Sequence, residues 1–240
     1  MEYLGENRPS KGGGSSVLTA ARHAIGDRPL ELTVLNEIPF GKGLGSSAAA
    51  FVAGAAAALR AVGEEASVDR VYHIAEELEG HPDQVAAAVY GGLTLIPAEG
   101  LPIRLPIHPS LVPVIGVPST RLPTMKARAV LDERLERDVV IRSLSRVIAL
   151  TAGLMTADPG MLAAAHGDEI HEAPRARLSP EVGEMIDVSK RAGAFHAFRS
   201  GAGPSVLALA TSEAADNVVR ALKEHGVDVL TPQVEPTGLV

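Results

Sequence analysis

A glycine-rich loop runs directly into an alanine-rich helix at Pro39-Phe-Gly-Lys-Gly-Leu-Gly-Ser-Ser-Ala-Ala-Ala50, and the rest of the chain must be built around it. Gly41, Gly43 and Gly45 permit a tight turn and close approach of the main chain to a ligand. Ser46 and Ser47 stand where the helix starts. The first amide N–H groups of a helix have no intrahelical partner, and the helix dipole adds partial positive charge there. Together these make an anion site, with the serine hydroxyls offering a further hydrogen bond and a metal ligand. A plain tight connection uses the same glycines, so the spacing alone leaves both readings open. The loop is not G-x-x-x-x-G-K-[ST], because Lys42 precedes the Gly-Ser-Ser. Nor is it G-x-G-x-x-G, because Ser46 follows Gly45 directly.

At 240 residues the chain suffices for one domain or two small ones with a real core. Aromatic residues are only 3% and Trp is absent, so that core is aliphatic. A net charge of −7 without any Lys/Arg-rich block argues against a nucleic-acid surface. No Cys is present, which excludes disulfides and thiolate catalysis and fits a reducing compartment. The longest apolar run, residues 48–59, is too short to span a bilayer. Met1-Glu-Tyr-Leu-Gly-Glu-Asn has neither a basic start nor an apolar core. A cytoplasmic protein without a membrane or nucleic-acid partner is the expectation.

In chain order, residues 1–16 read as a polar, glycine-rich entry and residues 17–25 as a short helix. Residues 30–35 alternate as a half-buried strand, and the loop's helix covers residues 47–62. Ser67 caps a helix with apolar residues on one face, Gly80 ends it, and Pro82 opens the next. Residues 97–123 hold seven prolines around a strand at residues 112–117, and a first lobe, residues 1–105, passes here to a second, residues 106–240. Helices follow at residues 124–131 and 139–155, and Asp158-Pro159 opens another. The last third reads helix–strand–strand–helix–strand, an α+β lobe of the ferredoxin-like kind. Its second helix is expected to be capped by Ser212.

Several constellations carry chemistry. Glu77-Leu-Glu-Gly-His-Pro-Asp-Gln84 gathers carboxylates and a histidine at a helix junction. A solvated, capped helix end looks the same, but beside a phosphate loop a carboxylate gains a role, since Mg²⁺ on nucleotide phosphates takes one or two protein oxygens. Thr124 and Arg128 share a helix face at i, i+4. Arg175 sits next to a proline whose fixed backbone suits a guanidinium held for a carboxylate or phosphate. As a bare pattern it is equally an ordinary loop arginine. Ser200-Gly-Ala-Gly-Pro-Ser205 is a second glycine turn, between strands, and equally a plain hairpin.

Taken together, G-L-G-S-S-A-A-A, E-G-H-P-D-Q-V-A-A-A-V-Y-G-G, T-M-K-A-R, H-E-A-P-R and S-G-A-G-P-S occur in the order found in the homoserine kinase family of GHMP small-molecule kinases, which the chain resembles over nearly its whole length. The resemblance implies a two-lobed GHMP kinase fold of class α+β, with a ribosomal-protein-like N-terminal lobe and a ferredoxin-like C-terminal one, and nucleotide and substrate in the cleft between them. It implies transfer of the γ-phosphoryl of ATP, with Mg²⁺, to the side-chain hydroxyl of L-homoserine on the route to threonine. Carried over, Pro39, Phe40, Gly41, Lys42, Gly43, Leu44, Gly45, Ser46, Ser47 and Ala48 wrap the nucleotide phosphates. Ser47 and Glu77 take the Mg²⁺, with Glu79 as the alternative. His81, Asp83, Gln84, Arg128 and Arg175 line the amino-acid pocket, Thr124 lies near the reacting hydroxyl, and the loop at Gly201 closes the site. No strong general base stands out.

Two departures accompany the resemblance. Gln84 stands where the family usually has Asn, and the family's opening P-x-S-x-N-x-G-P-G-x-D segment has no counterpart, so Met1 falls inside the family sequence. An N-terminal sheet with an unpaired edge follows from that. The alternatives are another GHMP kinase acting on threonine or a mevalonate-type alcohol, and a nucleotide-binding protein without catalysis. Oligomeric state is not readable from the residues, and a homodimer is common in aliphatic, aromatic-poor families of this kind.

Overall fold

The computed structural model describes residues 2–4 and 14–239. Gly12 and Gly13 of the expected glycine-rich entry lie outside the described residues. Contacts divide the chain into two compact units. The first comprises the described part of Met1–Phe40, Gly45–Leu105 and Val234–Val240; the second comprises Gly41–Leu44 and Pro106–Gln233.

In the first unit, β1 (Glu2–Leu4) pairs in parallel with β2 (Thr33–Leu35). The expected strand over residues 30–35 is thus only its last half, and β1 lies in a stretch whose polar residues disguise it. Helix α1 (Ser16–Ile25) starts at Ser15, whose Oγ accepts from the Leu18 N–H at 3.3 Å. Helix α2 (Ser46–Ala61) crosses α1 at Gly54, where an added Cβ would stand 2.3 Å from the Val17 carbonyl oxygen. Backbone cannot yield by that much, so only glycine allows this crossing. The fully buried Ala48, Ala55 and Ala58 continue the contact surface of α2.

Helix α3 (Val68–Glu79) carries the expected Ser67 cap, and α4 (Pro82–Tyr90) follows with proline in its first turn. Val71, Ala75, Val85 and Val89 complete an aliphatic core with Val52 and Leu59. Strands β3 (Leu93–Leu95) and β4 (Ile103–Leu105) form an antiparallel pair. Beyond them the C-terminal residues return: the Gly92 N–H donates to Glu235 at 2.7 Å and the Leu239 N–H to Val89 at 2.8 Å.

The second unit opens with β5 (Val112–Val117), α5 (Thr124–Arg128), the 20-residue α6 (Arg137–Thr156), α7 (Pro159–Ala164) and the single turn α8 (Glu172–Arg175). It ends with α9 (Glu181–Arg191), β6 (His196–Arg199), β7 (Val206–Ala210), α10 (Ser212–Glu224) and β8 (Asp228–Leu230). The four strands form one antiparallel sheet in the order β6-β7-β5-β8. With α9 and α10 this is the βαββαβ arrangement expected of the C-terminal lobe. Val114, Val206, Val182, Met185, Val218 and Leu222 close its core. Thr211, rather than Ser212, caps α10, its Oγ1 accepting from the Ala214 N–H at 3.3 Å.

Helix α6 is long and apolar enough to cross a membrane, by length and composition. Within its unit it lies on the surface. Leu144 is 60% and Ile148 71% exposed, while Arg142 and Arg146 pair with Glu169 at 2.9 and 3.0 Å.

Candidate active site

The approach to the loop is set by Asn36, whose amide brackets Ile38 through both main-chain groups at 3.0–3.1 Å and turns the chain into Pro39 and Phe40. Gly41, Gly43 and Gly45 all adopt positive φ, 68–75°. Within the second unit, Gly43 lies against the turn after β6: a Cβ would stand 2.2 Å from the Ser200 carbonyl oxygen and 2.7 Å from the Gly203 nitrogen. The Ser200 hydroxyl donates to the Gly43 carbonyl at 2.9 Å, and the Ser205 N–H to the Lys42 carbonyl at 3.2 Å. The two glycine turns, 157 residues apart, are therefore one packed structure.

Lys42 is buried, and its Nζ donates to the carbonyls of Pro118, Ser119 and Thr120 at 2.5–2.9 Å. Burial first, and the neighbouring Arg121 second, lower its pKa despite Asp228. Its side chain is thus a strap across the loop, and only its main chain is left for a phosphate, along with that of Gly43 and Leu44.

Within the first unit, α2 begins after Gly45 without a side-chain cap. The Ser46 Oγ is buried there with no partner. An uncapped N-terminus beside an unsatisfied hydroxyl is a donor set that a phosphate oxygen would satisfy. Ala48 is buried beneath it, while Ser47 is exposed and donates from Oγ to Glu79 Oε2 at 2.7 Å.

Residues 77 and 79 of a helix point roughly 200° apart, and the structure separates them accordingly. Glu79, with a side chain 13% exposed, faces Ser47; Glu77, 70% exposed, pairs with His23 of α1 at 3.3 Å. The Ser47 hydroxyl is thus hydrogen-bonded to Glu79, while Glu77 faces His23. His81 stands 3.8 Å from Glu79 and bonds Asp83 through Nδ1 at 2.8 Å. Gln84 lies against Gly45, its Oε1 2.6 Å from where a Gly45 Cβ would be. Ser47, Glu79, His81, Asp83 and Gln84 thus meet at the starts of α2 and α4.

Among the described residues no Lys or Arg pairs with Glu79. Two oxygens on adjacent positions of an Mg²⁺ octahedron lie about 2.9 Å apart, close to the 2.7 Å between Ser47 Oγ and Glu79 Oε2. A hydroxyl and a carboxylate, both hard oxygen donors, fit that ion.

The remaining residues gather in the second unit. Arg175 is 7% exposed, so it is no loop arginine. Its Nε donates to the Ala127 carbonyl at 2.9 Å, at the end of α5, and its Nη1 reaches the Gly201 carbonyl at 3.4 Å. Burial lowers its pKa, Asp168 opposes that, and Arg128 adds to the lowering. Thr124 and Arg128 are exposed along α5. Arg128 and Asp168 thus both act on the charge of Arg175, and among the described residues neither arginine forms an ion pair with a carboxylate.

Arg199 and Glu172 escaped the sequence reading. The only signal was an arginine ending an apolar strand just before Ser200-Gly.

Family models described as the GHMP kinases N terminal domain and the GHMP kinases C terminal match residues 12–92 and 152–228. A homoserine kinase of Thermus thermophilus is 39% identical over 209 residues, covering 86% of this chain and 72% of that protein. One from Desulfitobacterium hafniense is 37% identical over 205 residues, covering 82% and 69%. The crystal structure of homoserine kinase from Cytophaga hutchinsonii superposes with a TM-score of 0.79 at 30% identity, covering 86% of this chain and 70% of that one. The mevalonate kinase of Methanococcus jannaschii, at 15% identity and a TM-score of 0.69, shares the fold.

Proposed function

Because the chain belongs to the GHMP kinases, in their homoserine kinase family, we propose that it transfers the γ-phosphoryl of ATP to the side-chain hydroxyl of L-homoserine, giving O-phospho-L-homoserine for threonine synthesis. The observation that carries the substrate is the buried Arg175 at the Gly201 turn, with Arg128 near enough to act on its charge. Two guanidiniums suit an amino-acid carboxylate better than an uncharged alcohol.

In this reading the main chain of the 41–45 loop and the first N–H groups of α2 hold the nucleotide phosphates, with Ser46 Oγ adding a donor. Ser47 and Glu79 hold Mg²⁺, which neutralises charge on the transferring group. Arg175 and Arg128 take the substrate carboxylate. His81, Asp83 and Gln84 offer acceptors for its ammonium, and Thr124 a hydrogen bond to its hydroxyl. The hydroxyl oxygen bonds to the γ-phosphorus as the bridging P–O bond breaks; ADP leaves with the bridging oxygen and the alcohol proton passes to solvent. Such transfer depends on positioning and charge neutralisation more than on covalent chemistry.

The test is ADP release by this chain with Mg·ATP, with and without L-homoserine. Homoserine-dependent release is expected. Arg175→Ala should raise the homoserine KM about tenfold, the worth of a charge-assisted hydrogen bond, and leave the ATP KM nearly unchanged. Turnover on mevalonate in preference to homoserine would refute the substrate assignment.

The cytoplasm is the compartment this activity implies. The α6 surface supports the pairing of two copies. Ile141, Leu144, Ile148, Thr151 and Met155 recur at intervals of 3, 4, 3 and 4 residues, the seam spacing of paired helices. The flanking Val140, Ser145, Val147 and Ala152 are uncharged, and Glu169 draws Arg142 and Arg146 aside, so two seams meet without like charges facing each other. Light scattering should give twice the chain mass for the parent and one chain mass for Leu144→Glu/Ile148→Glu. A monomeric parent would remove this interface.

A further inference from the structure

Arg175 belongs to α8, a helix of four residues, and a single turn that short has no stability of its own. Its orientation must come from tertiary bonds, and one residue supplies them at both ends. The main-chain N–H of Arg199 donates to Glu172 Oε1 at 2.6 Å, at the start of α8. Its Nη2 reaches the Arg175 carbonyl oxygen at the end of α8, a long contact of 3.4 Å. Its Nη1 donates to Ser179 Oγ at 2.6 Å, just beyond the turn.

The same side chain underlies the glycine turn. A Cβ on Gly203 would stand 2.4 Å from Arg199 Nη1 and 3.2 Å from its Cγ, so the turn rests on the arginine. Gly201 of that turn presents the carbonyl that Arg175 Nη1 reaches.

Arg199 is 6% exposed, its Nε has no partner, and no carboxylate forms an ion pair with its guanidinium among the described residues. Glu172 and Glu181 favour its charge only from a distance, against burial and Arg175, and a buried cation compensated in that way lowers stability. A strand end needs only an apolar residue, so packing alone does not explain an arginine here.

We propose that Arg199 is a positioning residue for Arg175. It clamps α8 and the 200–205 turn together so that the Arg175 guanidinium faces the substrate carboxylate in one orientation. The proposal rests on the reading of Arg175 given above. Arg199 does not touch substrate; its effect on the reaction is exerted through Arg175.

The test is steady-state kinetics of the full chain in both substrates for Arg199→Met, which keeps the stem and loses the donors, Arg199→Lys, and Arg175→Ala as reference. Arg199→Met is expected to raise the homoserine KM about fivefold, with the ATP KM and kcat within about twofold. Arg199→Lys should recover part of that loss, because an ammonium can still serve one acceptor. If Arg199→Met fails to fold, Ser179→Ala, which removes the Nη1 acceptor, should raise the homoserine KM in the same selective way.

Arg175→Ala raising the homoserine KM while Arg199→Met and Ser179→Ala leave it unchanged would overturn the positioning role alone. An unchanged KM in Arg175→Ala would instead overturn the reading of Arg175 on which it rests. Equal losses in both substrates' KM would show a general structural role and also overturn the proposal.

Discussion

Glu79→Ala is expected to lower kcat for homoserine phosphorylation by about two orders of magnitude, and Glu77→Ala by less than about twofold. The two acids are neighbours in sequence and opposites in place. Glu79 is sheltered, holds the Ser47 hydroxyl at 2.7 Å and has no Lys or Arg in an ion pair among the described residues. Glu77 projects to solvent and meets His23 on another helix. Removing a sheltered carboxylate that would share a cation with nucleotide phosphates leaves the developing charge of phosphoryl transfer less compensated. Removing an exposed acid paired with a histidine costs at most a weak surface interaction. Apparent Mg²⁺ affinity, measured alongside kcat, should fall with Glu79→Ala only. The opposite ranking would return the cation to Glu77, and equal small effects would place it on neither.

The second expectation concerns acid. His196 on β6 is 3% exposed, stacks on His166 with ring centroids 4.4 Å apart and leaves its Nδ1 without a partner. Burial above all, then the charges of His166 and Lys190, push its pKa down from 6.5 to about 4, against a hydrogen bond to the Leu162 main chain. The folded protein therefore keeps the ring neutral where the unfolded chain would protonate it. Its contribution is fully present above pH 6.5 and is lost as the pH falls from 6.5 toward 4, because the unfolded state takes up the proton first. Over that interval the loss amounts to about 3 kcal/mol, a large share of a typical domain's stability. His166, whose pKa is lowered by burial and then Lys190, acts in the same direction. Denaturant midpoints measured from pH 7.5 to 4 should fall steeply for the parent and more gently for His196→Leu. An unchanged slope in the variant would assign the acid loss to other groups.

These two expectations mark different depths of legibility. Ser67 at its cap, Pro82 at a helix start and the apolar run of β5 act through local backbone chemistry, so their elements stood where the residues place them. The loop before α2 was legible for the same reason: an uncapped helix start after three glycines is a property of a few consecutive residues. Three of the short elements were not. β1, β4 and α8 have three or four residues each and exist because a distant partner supplies their hydrogen bonds.

The site divides along the same line. That an acid of the E-L-E-G stretch would stand near Ser47 was implied only by the resemblance; which acid it would be depends on how α3 is rotated about its own axis, and that is set by the packing of Val71 and Ala75. Lys42 was seen to be out of place for a phosphate lysine. Its three carbonyl partners, 76–78 residues away, could not be read from its neighbours. Arg199 is the extreme case. In sequence it is one charge ending an apolar strand, and only the fold brings it to Glu172, Arg175, Ser179 and Gly203 together. Local chemistry, repeated every few residues, specifies helices, caps and a glycine turn ahead of an uncapped helix start in the linear chain. The orientation of side chains between distant segments is a product of packing, and packing exists only once the chain has closed on itself.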